Sequence, residues 1–120
     1  MGTRLSLFRR LTAAAETLDA VQLQDDVESV DAQFCRVLHR GDVAKVAGRV
    51  RAVVYNPRET VPTFTAELFD GSASIDLVWL GRRRIAGITP GRTISARGRI
   101  GDHDGRLAIY NPRYELRASE

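Results

Sequence analysis

The stretch VAKVAGRVRAVVY, residues 43–55, decides how this chain is read. Its side chains alternate. Val46, Gly48, Val50, Ala52 and Val54 fall on one face, and Lys45, Arg49, Arg51 and Tyr55 fall on the other. A period of two over this length predicts a long strand with one face in a core. Gly48 in its middle predicts a bulge or a sharp coil, as a strand needs where it bends round a small barrel. A one-residue bulge near Gly48 would exchange the two faces.

Downstream, the same period returns four times. After the loop NPRETVP, broken by Pro57 and Pro62, TFTAELFDG (63–71) places Phe64, Ala66 and Leu68 opposite Thr65, Glu67 and Phe69. Asp70-Gly71 then marks a tight hairpin turn. SASIDLVWLG (72–81) is the return strand, with Ile75, Leu77 and Trp79 inward and Asp76, Val78 and Leu80 outward. RRRIAGITPG (82–91) breaks the alternation and suits a short helix or turn. RTISARGRIG (92–101) is a fourth strand, with Ile94, Ala96, Gly98 and Ile100 inward and Thr93, Ser95, Arg97 and Arg99 outward. DHDG (102–105) is a hairpin loop. RLAIYNPRYEL (106–116) is a fifth strand, broken by Pro112, with Arg106 and Tyr110 outward. Five short strands, hairpins 2–3 and 4–5, and a short element between strands 3 and 4 predict an all-β core: a five-stranded Greek-key barrel of the OB type. The rival, an SH3-like barrel, has no inserted segment between strands 3 and 4.

Upstream, RLSLFRRLTAAAETLD (4–19) spaces Leu5, Phe8, Leu11, Ala15 and Leu18 as an amphipathic N-terminal helix. Packing on the domain or on a second copy is favoured over a membrane surface, because Ala13, Ala14, Ala15 and Glu16 give it a weak polar face. Residues 20–33 carry Asp25, Asp26, Glu28 and Asp31 and read as a solvated linker or a short exposed helix. The chain therefore divides into a helix and acidic linker, 1–33, and a barrel domain, 34–120.

The composition is that of one globular domain: 120 residues, 43% hydrophobic and 28% charged. No apolar run is long enough to span a membrane. Arg9 and Arg10 interrupt any secretion signal. Cys35 is the sole cysteine, so no internal disulfide forms, and a reducing cytoplasm is the expected compartment. The net charge of +3 is uneven. Residues 1–41 hold five arginines against six acids, a net −1, which leaves +4 on the barrel half. That bias favours a polyanionic partner. Lys45 is the only lysine. The arginine excess is thus a compositional habit and not in itself evidence of phosphate recognition.

The ordered run VAGRVRAV, FTAELFDGSASIDLVWL, ITPGRTISARGRI and LAIYNPRYEL resembles OB-fold nucleic-acid-binding domains of the tRNA-anticodon/helicase type, with the RecG wedge domain the nearest well-known member. Gly48, Asp70-Gly71, Gly91, Gly98, Pro112 and Tyr114 carry the likeness. LVWLGRRRIAGITPGR is similar to small stand-alone bacterial proteins of that type. The resemblance spans roughly residues 34–117 and implies non-catalytic binding of single-stranded or branched DNA, with RNA second. No GxxxxGK[ST] phosphate loop occurs in the sequence, so helicase activity does not carry over.

OB barrels bind on the outer face of strands 2 and 3, with stacking aromatics and a basic track. Here those strands offer Phe69 for stacking but also Glu67 and Asp76, which repel phosphate. The basic residues gather on strands 1, 4 and 5. Candidate nucleic-acid contacts are Arg49, Arg51, Tyr55, Arg58, Phe69, Arg82, Arg83, Arg84, Arg97, Arg99, Tyr110 and Arg113. Arg82–Arg84 have no acidic residue near them in sequence, since 77–101 contains none, and suit a phosphate clamp or a solvated turn. YNPR occurs at 55–58 and at 110–113. Its proline and asparagine terminate a strand each time. Tyr55, Arg58, Tyr110 and Arg113 could converge into one aromatic-basic patch if the two strand ends lie together. Asp102, His103 and Asp104 read as a polar hairpin tip and not a metal site. No nucleophile–base set or carboxylate pair is present, so neither an enzyme nor a cofactor is expected. The alternative is a protein–protein adaptor using Phe69, Val78 and Leu80, with self-association through the N-terminal helix.

Overall fold

The structure, a computed structural model, describes residues 18–57 and 60–117. The helix expected over 4–19 lies outside these residues except for its last two positions, and Arg58 lies outside them too.

Helix α1 (residues 18–29) occupies the segment expected to be an acidic linker or short exposed helix. Its exposure is one-sided. Leu23 and Val27, one turn apart, are fully buried. Gln24 Nε2 donates to the Gly71 carbonyl at 2.9 Å. A Cβ on Gly71 would stand 2.3 Å from the Ala20 carbonyl oxygen, so the helix lies directly on the β2–β3 turn. Asp25 and Glu28 occupy the exposed side. The helix ends at Asp31, whose φ is +57°. The Asp31 N–H bonds the Glu28 carbonyl and the Ala32 N–H bonds the Val27 carbonyl, the paired bonds of a left-handed C-terminal cap.

A 3-10 turn, Cys35–Val37, leads into the strands. These are β1 (Val43–Asn56), β2 (Thr63–Phe69), β3 (Ser74–Leu80), β4 (Thr93–His103), β5 (Arg106–Tyr110) and β6 (Arg113–Leu116). Pairing runs β1–β2–β3–β5–β4 and returns from β4 to β1, so five strands form a closed sheet. Only β3–β5 is parallel. β6 pairs with β4 further along the edge that β5 uses.

β1 makes the closure possible. Residues 43–49 pair with β4, and 49–56 pair with β2. Arg49 is the pivot, opposite Thr93 on one side and Phe69 on the other. Gly48 does not sit at a bulge: it pairs regularly with Ile94. Its role is space, because a Cβ there would stand 2.3 Å from the Phe69 carbonyl oxygen. The bulge falls at Arg51, between Val50 and Ala52. Beyond it the two faces exchange, as one inserted residue requires. Ala52 and Val54, expected inward, are exposed. Val53 packs on the core instead. Tyr55, expected outward, comes into register with Phe64 on the inner face.

The other strands keep their expected inner faces, but Asp76, Val78 and Ser95, expected outward, are buried, so Val78 is not available as the exposed apolar contact expected of it. Val46, Val50, Ala66, Leu68, Ile75, Leu77, Ile94, Ile100 and Ile109 fill the closed sheet. Trp79 is core as expected, 5.9 Å from Phe64 and 5.8 Å edge-on from Tyr114 between ring centroids. Cys35 and Leu38 close one end, and Ile85 and Ile88 close the other. Segment 82–91 is a series of turns without a helix. The expected break in the fifth strand separates β5 from β6. Asn111 there takes φ +50°. Its side-chain oxygen accepts from the Leu80 N–H at 3.0 Å, and its own N–H donates to the Val78 carbonyl at 2.6 Å. The first copy of the repeat behaves differently, since Asn56 remains in the ladder opposite Thr63.

Candidate nucleic-acid interface

The register lines up side chains in rows across the outer face of β1, β2, β3 and β5. One row is Val54, Thr65, Val78 and Tyr110. The next contains Ala52, Glu67, Asp76 and Ala108. The acids of that second row are neutralised locally. Arg106 lies 3.1 Å from Asp76 and 3.6 Å from Glu67. Arg51 lies 3.9 Å from Glu67, and His103 lies 3.4 Å from Asp76. The Arg51 guanidinium also stands 3.6 Å from the centroid of the Phe69 ring. The one good stacking candidate on β2 is thus already stacked by its own chain.

Other cations on the first half of β1 are held by α1 and the turn that ends it. Both carboxylate oxygens of Asp19 accept from Arg49 Nη1, at 2.6 and 2.7 Å. Lys45 Nζ donates to the Val30 carbonyl at 3.0 Å. Arg40 pairs with Asp102 on the exposed β4–β5 side. Its hydrogen bond holds the Asp102 carboxyl below the usual carboxylate range.

The outer face of β1, β4 and β6 differs. Lys45 is opposite Arg97, and Arg97 is opposite Arg113. Arg99, two residues along β4, shares that face and donates to the Gly41 carbonyl at 2.8 Å. Arg97 and Arg113 are exposed, and neither has a hydrogen-bond or ion-pair partner among the described residues. An open cleft of about 340 Å³ runs along this row, with Ser95 and Glu115 also in its wall.

Arg82, Arg83 and Arg84 are exposed on the turn after β3, anchored from behind by buried Ile85. Arg83 lies 5.9 Å from the Tyr55 ring centroid. Arg82 and Arg84 have no partner among the described residues. Tyr110 is on the outer face, its hydroxyl donating to the Asp102 carbonyl at 2.9 Å. Tyr55 follows Val54 of the Tyr110 row and so faces the opposite way. The two tyrosines of the repeat therefore do not form one patch, and Arg113 joins Arg97 instead. The lysine of the cationic row was legible as an outward residue but not as a member of a site, since nothing in sequence spacing places strand 1 beside strand 4.

A buried carboxylate holds the opposite end of the closed sheet. Asp70 is fully buried. It accepts from the Cys35 N–H at 2.6 Å, the Ser72 N–H at 2.8 Å, the Ser72 hydroxyl at 2.7 Å and the Ala73 N–H at 3.0 Å. Burial pushes its pKa up, but these four donors outweigh burial and hold it below the ordinary value. Burial, together with the Asp70 charge, pushes the Cys35 thiol far up, so it stays protonated.

No family model matches the chain, and no curated protein matches it. Among the described residues no cluster of His, Cys, Asp and Glu is arranged to hold a metal ion. No helix among them is long and apolar enough to cross a membrane.

Proposed function

We propose that the closed sheet is an OB-type barrel and that the protein is a non-catalytic nucleic-acid-binding module, with DNA ahead of RNA. The strand order supports the fold: three consecutive antiparallel strands, a parallel β3–β5 contact and closure of β4 on β1 match the topology expected of that barrel. This reading keeps the resemblance to small bacterial OB proteins and to the RecG-type wedge, without a motor.

The observation that carries the function is the distribution of unpaired arginines. Arg51, Arg106 and Arg49 are neutralised by neighbouring acids. Arg82, Arg84, Arg97 and Arg113 are exposed and without acceptors among the described residues. Exposed guanidinium groups with free donor forks are suited to phosphate. The test is fluorescence anisotropy with single-stranded, duplex and forked DNA and with single-stranded RNA, at two salt concentrations. Binding that weakens steeply with salt is expected. Absence of binding to all four probes at low salt would overturn the reading.

A second reading rests on the apolar row. Val54 is 60% exposed, Leu80 41%, Tyr110 41% and Val61 46%, and most of these lie together on the outer end of β1, β3 and β5. A patch of this kind suits a protein partner. An adaptor of that sort captures its partner in a salt-tolerant way, which separates it from the first reading.

A further inference from the structure

We propose that the phosphates of a single strand cross the outer face of β1, β4 and β6 and turn over β6 onto Arg82–Arg84, leaving the outer face of β2 and β3 out of the contact. The inference rests on the nucleic-acid reading above and adds the path that the ligand takes.

The row is the starting point. Lys45, Arg97 and Arg113 are directly opposite one another on neighbouring strands. Neighbouring strands are about 4.8 Å apart, so three cations span about 10 Å in a line that runs across the strands. Like charges placed opposite each other destabilise a sheet. On the outer face of β2, β3 and β5 the chain sets acids beside its arginine, as Glu67 and Asp76 are set beside Arg106. Here it does not. A phosphate chain along the row removes that repulsion, and the open cleft beside it gives the chain a bed with the Ser95 side in its wall. A second opening, of about 400 Å³, continues past Arg97 and Lys45 to Gln33 and Val43. Acids stand at the limits of the track, Glu115 in the first cleft and Asp31 in the second. They confine phosphate to the row between them.

The second half of the path follows from connectivity. The Leu80 N–H bonds the Asn111 side chain, which fixes the end of β3 against the link between β5 and β6. Arg82 lies two residues past Leu80, and Arg113 lies two residues past Asn111. The unpaired arginines of the turn thus begin beside the strand that carries the end of the row. The β2–β3 outer face competes poorly, because the arginines beside it are neutralised and its half-buried Phe69 ring is covered by Arg51.

On the proposed path, a ligand touching both groups changes direction over β6. A single strand does so at low cost. A duplex resists, since its persistence length is about 150 base pairs.

The experiment measures anisotropy at low salt with a single-stranded oligonucleotide and with a duplex of the same sequence. Three variants are compared with the natural protein: R97E/R113E, R82A/R83A/R84A, and R51A/F69A on the other face. The first two change exposed side chains, of which Arg83 alone has a contact, with the Tyr55 ring, and circular dichroism checks that each variant is folded. Expected are a loss of single-strand affinity of about tenfold or more for each of the first two, little change for the third, and weaker binding of the duplex. Loss in R51A/F69A with retention in R97E/R113E would overturn the path while leaving the nucleic-acid reading intact. Duplex binding as tight as single-strand binding would overturn it too. No binding of either probe by the natural protein would remove the reading itself.

Discussion

Asp70 holds its charge away from water because four donors converge on it, three of them from the backbone of Cys35, Ser72 and Ala73. In Asp70→Asn an amide NH2 replaces one of those acceptor oxygens and faces a donor. A buried donor left unsatisfied, with the loss of bonds to a charged group, costs about 2–3 kcal/mol. Urea unfolding is expected to show that loss for D70N. The pH dependence has a definite sign. The folded pKa lies below the unfolded value of about 3.9, so the contribution is complete above that pH and is lost as pH falls through the folded pKa. Acid titration of stability should therefore be steeper below about pH 4 in the natural protein than in D70N. Gly48 is the other residue whose replacement is decisive. The atom in the way of a Cβ is the Phe69 backbone oxygen, at 2.3 Å, and it cannot swing aside. Gly48→Ala is expected to cost about 1–3 kcal/mol, read by the same unfolding measurement.

At the scale of elements, α1 is attached by burial more than by charge. Leu23 is fully buried between helix and sheet, so Leu23→Ala should cost about 2–5 kcal/mol. The Arg49–Asp19 pair is partly exposed on both sides, so Arg49→Ala should cost below about 1 kcal/mol. Thermal unfolding of the two variants distinguishes these cases. The helix was partly legible. Ala20, Leu23, Gln24 and Val27 follow helical spacing, but Asp25, Asp26 and Glu28 between them made the segment look solvated all round. The strands were more legible, because the apolar residues expected inward on β2, β3 and β4, from Phe64 to Ile100, reach the core as their period requires, although Asp76, Val78 and Ser95 between them are buried too. The place where β1 slips was not. The bulge at Arg51 arises where one strand leaves β4 for β2, and that exchange is a property of closure. The sequence marks Gly48 three residues earlier for a different reason. Which arginines are neutralised was also hidden, since Arg106 meets Glu67 and Asp76 only across strands that are remote in sequence.

For the molecule as a whole, the proposed binding is governed by a small number of cations. A single strand loses about 0.7 in the slope of log K against log salt for each phosphate neutralised, so three to five contacts give a slope between about −2 and −3.5. Removing Arg97 and Arg113 together should flatten that slope by about 1.4. A salt titration of the natural protein and of R97A/R113A measures both values. A double variant that weakens binding without flattening the slope would argue against phosphate contact at these positions.

The sharing of β1 between two partners also orders events in time. The β1–β2 and β2–β3 pairings join neighbours in the chain and can form as soon as Leu80 has been synthesised. The first half of β1 waits for Thr93–Arg99. Until they emerge, residues 43–49 present an unpaired edge on a nascent chain, and closing that edge spans the longest separation of any strand pair. Slow refolding, with aggregation of fragments that stop before β4, is the kinetic consequence of building a closed sheet around one long strand.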